Sequence, residues 1–356
     1  MDAHVALQGC RRNLHLRVEV WRRCSFLRHR TFAKAREHID ISRQHDRLQK
    51  INGTDLSIIY IGDQRSSQEK LEHISDQLIK QQIDRLIVIG GGSILDFAKR
   101  IHLNLIESNP RNDHELVAIP SRIGSGAESS MTSIINFDIK KSIKVNSRFM
   151  PDTVIYDLEL FNTLSVSDIY LGSLDAITHL IESTNSFLSN SYVDFIAPSA
   201  VSRYVNFLSD INFDLHQPSK QLLTELCLLS LNGGLAQNNA GAGLCHSLSH
   251  SAETILGIPH VTAISMFLKP TLEFMNQNHP ESLELFDRVL KKKIFNYIDL
   301  MDNLVISDDL SRLTLTLEQL QNITNAAPND PCWKLMLKRV DKDDLLAYLT
   351  EAYELN

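Results

Sequence analysis

The feature that most constrains this chain is a run of three glycines, Gly90-Gly91-Gly92, set between an apolar run and an amphipathic one. Arg85-Leu86-Ile87-Val88-Ile89-Gly90 has no polar residue after its first, so it reads as a buried strand. Ser93 to Leu105 carries its apolar residues at helical spacing. A strand that turns through glycine into a helix is part of a β–α–β unit, and such units build parallel sheets. The neighbouring segments repeat the theme. Leu56 to Gly62 and Leu116 to Pro120 read as strands, and Gln68 to Gln82 as a helix with Leu71, Ile74, Leu78 and Ile79 on one stripe.

The glycine turn is also a candidate anion cradle. Glycine allows backbone conformations barred to other residues and a close approach of the backbone. The helix start adds unpaired N–H groups and a partial positive charge. Gly90, Gly91, Gly92, Ser93 and Asp96 are the candidates here. This is not the G-x-G-x-x-G fingerprint, and a tight connection without a ligand is the alternative reading. A second small-residue loop, Pro120 to Glu128, follows the next strand and adds Ser121 and Ser125. Two such loops at the carboxyl ends of parallel strands suit a dinucleotide.

The second half changes character. From about Asn162 the periodic apolar stretches are longer and helical, as in Ala200 to Leu208 and Gln221 to Leu231. A boundary near residue 160, after the strand-like Thr153 to Asp157, gives an α/β domain over 1–160 and a mostly helical one over 161–356. The last helix is predicted to begin near Asp341, where Asp343 and Asp344 suit the positive end of a helix dipole.

The helical half carries the second constellation. Asp175 and His179 stand at i and i+4, as do His246 and His250, so each pair points the same way from a helix. Gly257-Ile258-Pro259-His260 follows, which places three of the 14 histidines within 15 residues. A lone histidine is usually a satisfied core or surface residue. A carboxylate with several imidazoles suits a first-row divalent ion.

The 356 residues suffice for two domains, and 43% are hydrophobic, as in an ordinary globular protein. No apolar window is long enough to predict a membrane span. A net charge of -7 argues against nucleic acid as the main partner. The first 50 residues run against that balance, with 12 Lys and Arg and 5 Asp and Glu. They read as a solvated or loose terminus, or as a targeting segment within residues 1–30. Five widely spaced cysteines with no C-x-x-C argue against a disulfide framework and for a reducing cytoplasm.

With these residues in view, the sequence resembles the iron-containing alcohol dehydrogenase family, from roughly Gly53 to Asn276 and more weakly at Ala326 to Cys332. The family's G-G-G-S-x-x-D-x-A-K stands intact at Gly90 to Lys99, and its P-T-T-x-G-T-G-S-E appears with substitutions at Pro120 to Glu128. Pro151-Asp152, the D-A-x-x-H-x-x-E of Asp175 to Glu182, and His246, His250 and Pro259-His260 complete the match. The resemblance implies a Rossmann-like parallel-sheet dinucleotide-binding domain followed by a helical metal-binding domain, the dehydroquinate synthase-like architecture. It implies Asp175, His179, His246 and His260 as metal ligands and His250 as a site histidine suited to relaying a proton. It further implies hydride transfer between a small alcohol and NAD or NADP, and a homo-oligomer by analogy. Four protein ligands with a substrate oxygen as a fifth favour Fe(II) over Zn(II).

The departures are specific. Val261 stands where the family usually has Gly, which predicts crowding or a shifted loop beside His260. Arg122 and Ala127 replace small hydroxyl residues in the second loop. Where the family often has a strand ending in Asp, Cys24 to Thr31 offers Arg28, His29 and Arg30, which could accept a 2′-phosphate, so NADP stands open beside NAD. Two alternatives stand beside the dehydrogenase. One is a sugar-phosphate cyclase of the same plan, for which Lys140, Lys141, Lys144 and Arg148 would meet an anion, although a solvated hairpin explains them as well. The other is a degenerate paralogue without turnover, against which the complete ligand set counts.

Overall fold

The computed structural model describes residues 3–7, 14–21, 67–83, 85–110, 114–137, 140–210, 218–290, 294–296, 298–299 and 315–355. The strand expected at Leu56 to Gly62 and the cofactor-discriminating stretch Cys24 to Thr31 lie outside these residues. So does most of the basic start. The chain divides into two compact units, one of Met1–Arg122 with Ala127–Thr163, the other of Ile123–Gly126 with Leu164–Asn356.

In the first unit the order is β1 (Ala3–Leu7), β2 (Leu14–Trp21), α1 (Gln68–Gln81), β3 (Arg85–Gly90), α2 (Gly92–Ser108), β4 (Glu115–Pro120), β5 (Thr132–Phe137), β6 (Lys140–Val145) and β7 (Thr153–Asp157). The main sheet runs β1-β2-β7-β4-β3. Its last four strands are parallel, and β1 pairs antiparallel at the edge. Strand side chains alternate between faces, and β4 shows the result. Leu116 and Ala118 pack with Leu95 and Ala98 of α2, whereas Val117 and Ile119 pack with Ile155 on the other cluster. Helices α1 and α2 meet through Leu71, Ile74, Leu78, Phe97, Ile101 and Leu105.

Strands β5 and β6 form a separate hairpin, on which Lys144 is exposed, as is Arg148 just beyond it. Polar side chains of α2 tether that hairpin. Asp96 Oδ2 accepts from Ile134 N at 2.9 Å. Lys99 Nζ, almost wholly buried, donates to Asp96 Oδ1 at 3.1 Å and to Thr132 O at 2.7 Å. Arg100 Nε donates to Ser133 Oγ at 2.9 Å. Burial pushes the Asp96 carboxyl above its ordinary pKa, with Lys99 opposing the shift. A buried charge pair of this kind loses about 3–5 kcal/mol when one partner is removed.

The second unit is helical: α3 (Val166–Thr184), α4 (Ser191–Asp210), α5 (Lys220–Ala240), α6 (Leu244–Leu256), α7 (His260–Asn278), α8 (Glu281–Leu290), α9 (Leu317–Ala326) and α10 (Lys342–Ala352). A capping box of Ser165 and Asp168 starts α3. Almost every residue of α3 from Ile169 to Ser183 is buried, which makes it the central helix of the unit. Asp341 caps α10 by accepting from the N–H groups of Asp343 and Asp344, so that helix begins where its charges predict. No helix among the described residues is long and apolar enough to cross a membrane.

The short segment Ile123–Gly126 joins this second unit through two glycines. Gly124 has φ +120 and Gly126 has φ +61. A Cβ on Gly124 would overlap the backbone of Gly172 in α3, and one on Gly126 the backbone of Gly234 in α5. Gly257 also has a left-handed φ of +67, but a Cβ there meets nothing within 4 Å among the described residues. Gly257→Ala is therefore expected to cost about 1 kcal/mol from strain alone. Gly124→Ala adds backbone overlap and should cost about 2–5 kcal/mol. Urea midpoints of the two variants check the ranking, and equal losses would contradict it.

Candidate metal centre

Carboxylate and imidazole side chains on a buried helix need partners, and α3 buries three: Asp175, His179 and Glu182, spaced to share one face. Opposite them, α6 supplies His246 and His250 one turn apart. Helix α6 ends at Gly257 in a left-handed cap, and the chain turns through Pro259 so that His260 opens α7. These elements bring His179 Nε2, His246 Nε2 and His260 Nε2 to 3.8, 3.6 and 3.7 Å from Asp175 Oδ1. The donor atoms of Asp175, His179 and His246 all lie within 4.8 Å of one another. The rings of His179 and His246 stack at 4.5 Å, and that of His260 lies 5.5 Å from His246.

The spacing tests whether these residues fit an ion. At 3.6–3.8 Å the three contacts are too long for hydrogen bonds. Both Asp175 oxygens and His246 Nε2 are buried without a hydrogen-bond partner among the described residues. A buried carboxylate left like this costs several kcal/mol. Donors bound at about 2.1 Å around one tetrahedral ion lie about 3.4 Å apart, close to what is seen. The set of one oxygen and three nitrogens fits a first-row divalent ion. Burial opposes charge on Asp175, yet His179, His246 and His260 hold its carboxyl far below the ordinary range. Burial lowers His179 to about 3, against the pull of Asp175. An imidazole held neutral has its ring nitrogen free to ligate.

Glu182, to which the sequence reading gave no role, holds the arrangement together. Its Oε2 lies 2.6 Å from His246 Nδ1 and accepts from Gly243 N at 2.8 Å. Its Oε1 accepts from Cys245 N. Gly243 caps α6 without a side chain of its own, so Glu182 satisfies the helix start from 61 residues away. Burial lowers the pKa of His246, but Glu182 and Asp175 overcome it and raise it to about 9. The only signal in the sequence was position: Glu182 stands three residues after His179, at the end of the D-A-x-x-H-x-x-E run. Asp330 was likewise given no role. Its Oδ2 lies 2.9 Å from His250 Nδ1, and the His250 ring stacks on His260 at 5.3 Å.

The glycine cradle is built differently from its prediction. None of Gly90, Gly91 and Gly92 has a positive φ. What demands glycine at 90 is space, since a Cβ there would lie 2.6 Å from Ile94 Cβ in the first turn of α2. Gly91 caps α2 without a side chain, and Ser93 is exposed in that first turn. Ser121 joins the cradle, its N–H donating to Gly90 O at 2.9 Å. Asp96 points its carboxylate at Lys99 and the hairpin. Ser125 lies in the segment held by the helical unit.

The chain matches the C-terminal model of the Fe-containing alcohol dehydrogenase family over residues 169–353 and the iron-containing alcohol dehydrogenase model over 42–158. The chain belongs to the iron-containing alcohol dehydrogenase family. It is 28% identical over 232 residues to the probable alcohol dehydrogenase EutG of Escherichia coli, covering 61% of this chain and 58% of that one. It is 27% identical over 234 residues to an NADPH-dependent butanol dehydrogenase of Clostridium saccharobutylicum, with coverage of 61% and 58%. The alignments thus span 58% of the length of these two relatives. Solved iron-containing alcohol dehydrogenases from Corynebacterium glutamicum and Thermococcus thioreducens share the fold. Their TM-scores are 0.76 and 0.73 at 19% and 20% identity, over 95% of this chain and 94% and 98% of theirs.

The departures from the family pattern at residues 122, 127 and 261 lie among the described residues. Val261 lies in the first turn of α7 with a negative φ, and His260 still reaches Asp175. Arg122 runs its stem beside the cradle, its Cδ 3.4 Å from where a Cβ on Gly91 would stand. Ala127 fills a core position with Leu95 and Ala98. Because Glu182 orients His246 and caps α6, Glu182→Gln is expected to weaken divalent-metal affinity roughly 10–100-fold. Competition against a chelator measures this, and wild-type affinity in the variant would remove Glu182 from the centre.

Proposed function

We propose that this chain is a metal-dependent, NAD(P)-linked oxidoreductase that interconverts a small alcohol and its aldehyde or ketone. The observation that carries the reading is the buried Asp175 carboxylate, faced by three imidazole nitrogens at 3.6–3.8 Å and hydrogen-bonded to none. Family membership supports it, as do the dehydrogenase names of the relatives. Asp175, His179, His246 and His260 would hold the ion, with Fe(II) favoured over Zn(II). When bound, the ion supplies Lewis-acid polarisation of the substrate oxygen.

The residues of the chain supply the rest. Gly90, Gly91, Gly92 and Ser93 present the start of α2 to a dinucleotide phosphate, with Ser121 beside them. Asp96 acts on that cradle indirectly, by fixing α2 to the hairpin, and Ser125 is a second-loop contact. The butanol dehydrogenase relative is named for NADPH, and Arg28, His29 and Arg30 suit a 2′-phosphate, so NADP stands beside NAD. His250 holds the proton that the substrate hydroxyl gains or loses. Asp330 holds the His250 ring through Nδ1, and an imidazole takes up and releases protons at its ring nitrogens.

Protein purified anaerobically without chelators is expected to retain about one divalent ion per chain and to oxidise short alcohols or diols with NAD or NADP. His260→Ala should lose both together, by more than the roughly 100-fold that loss of an outer contact costs. Turnover that persists in metal-free protein would overturn the reading.

A further inference from the structure

We propose that His250, Asp330 and Cys332 form a second metal site, for a thiophilic divalent ion of the zinc class, beside the Asp175 centre. Each residue offers one donor atom, and the three lie within 4.8 Å of one another. All three are partly buried, and among the described residues Cys332 is in no disulfide.

The geometry is held in place before any ion arrives. His250 comes from the middle of α6, and Asp330 and Cys332 from the turn after α9. Asp330 Oδ2 meets His250 Nδ1 at 2.9 Å, while Asp330 Oδ1 accepts from Cys332 N at 2.8 Å. The same carboxylate therefore ties the cysteine and the histidine to each other. The turn is pinned by Asp330 N donating to Ala327 O at 3.0 Å and Lys334 N to Pro331 O at 3.1 Å.

The donor chemistry separates this site from the first. Asp175 and its histidines offer oxygen and nitrogen alone, whereas Cys332 brings sulfur. Thiolate donors select zinc-class ions over hard ones. Three protein ligands leave one position open, as in mononuclear zinc sites that are not closed. Binding is a proton exchange without redox change. The ion replaces the proton of the Cys332 thiol, which leaves to solvent, and takes the lone pair of His250 Nδ1, whose proton passes to Nε2 of the same ring. With the ion on one ring nitrogen and the ring's proton on the other, His250 has no lone pair left to accept a further proton. If His250 relays protons as proposed above, an ion at this site brakes turnover.

The test uses Cd(II) as probe on the full chain already holding one equivalent of Fe(II), under anaerobic conditions, with both metals counted. Wild type is expected to retain one further equivalent and to show thiolate-to-cadmium charge-transfer absorption in the ultraviolet. Cys332→Ser should lose the part of that absorption due to this site, and Asp330→Asn should weaken uptake roughly tenfold or more. Both variants are judged on samples that keep their iron and their circular dichroism. A measurement on wild type alone guards against misfolded variants: Zn(II) should protect Cys332 from alkylation, read on its peptide by mass. Equal cadmium absorption in wild type and Cys332→Ser, or alkylation unaffected by zinc, overturns the site whether or not the chain is a dehydrogenase. Zinc inhibition unchanged in Cys332→Ser would overturn the brake.

Discussion

The Glu182 carboxylate accepts from the Gly243 and Cys245 N–H groups and meets His246 Nδ1, and the helical unit's chemistry is built outward from those contacts. Charge-assisted bonds of this kind contribute about 1.5–3 kcal/mol each. They do more than stabilise. They fix the start of α6 against the buried face of α3, so that His246 faces Asp175 with its Nε2 unpaired among the described residues. One carboxylate on that face is fully engaged and the other, Asp175, is not. That contrast between two buried acids on a single helix supports the proposal that Asp175 is a ligand.

The first unit solves a different problem, which is how to bring a helix start close to a strand end. Gly90 gives up its side chain to make room for Ile94. Helix α2 is then held by Asp96, Lys99 and Arg100, which tether it to the β5–β6 hairpin. The glycines answer crowding rather than unusual torsion. The left-handed glycines lie one loop later, at 124 and 126, where the chain passes against α3 and α5.

Much of this was readable from local pattern. The strand–glycine–helix of residues 85–105 and the i, i+4 pairs of Asp175 with His179 and His246 with His250 are periodic signals, and each falls on the predicted element. Asp341 announced its helix because capping is a matter of adjacent residues. The partners of the histidines were not readable. Glu182 acts on His246 across 64 residues and Asp330 on His250 across 80, and only the fold brings them together. The N-terminal strands β1 and β2 were missed because an Arg-rich segment hides their short alternation. The boundary near residue 160 could not foresee that Ile123–Gly126 belongs with the helices, since the reason is a backbone contact with Gly172 and Gly234.

The most direct test of the central claim is X-ray absorption at the iron edge of protein loaded anaerobically with one equivalent of Fe(II). Asp175 with His179, His246 and His260 predicts a nitrogen and oxygen shell, multiple scattering from imidazole rings, and no sulfur neighbour. A first shell containing sulfur, or one without imidazole scattering, would contradict the assignment of the ion to Asp175 and its histidines.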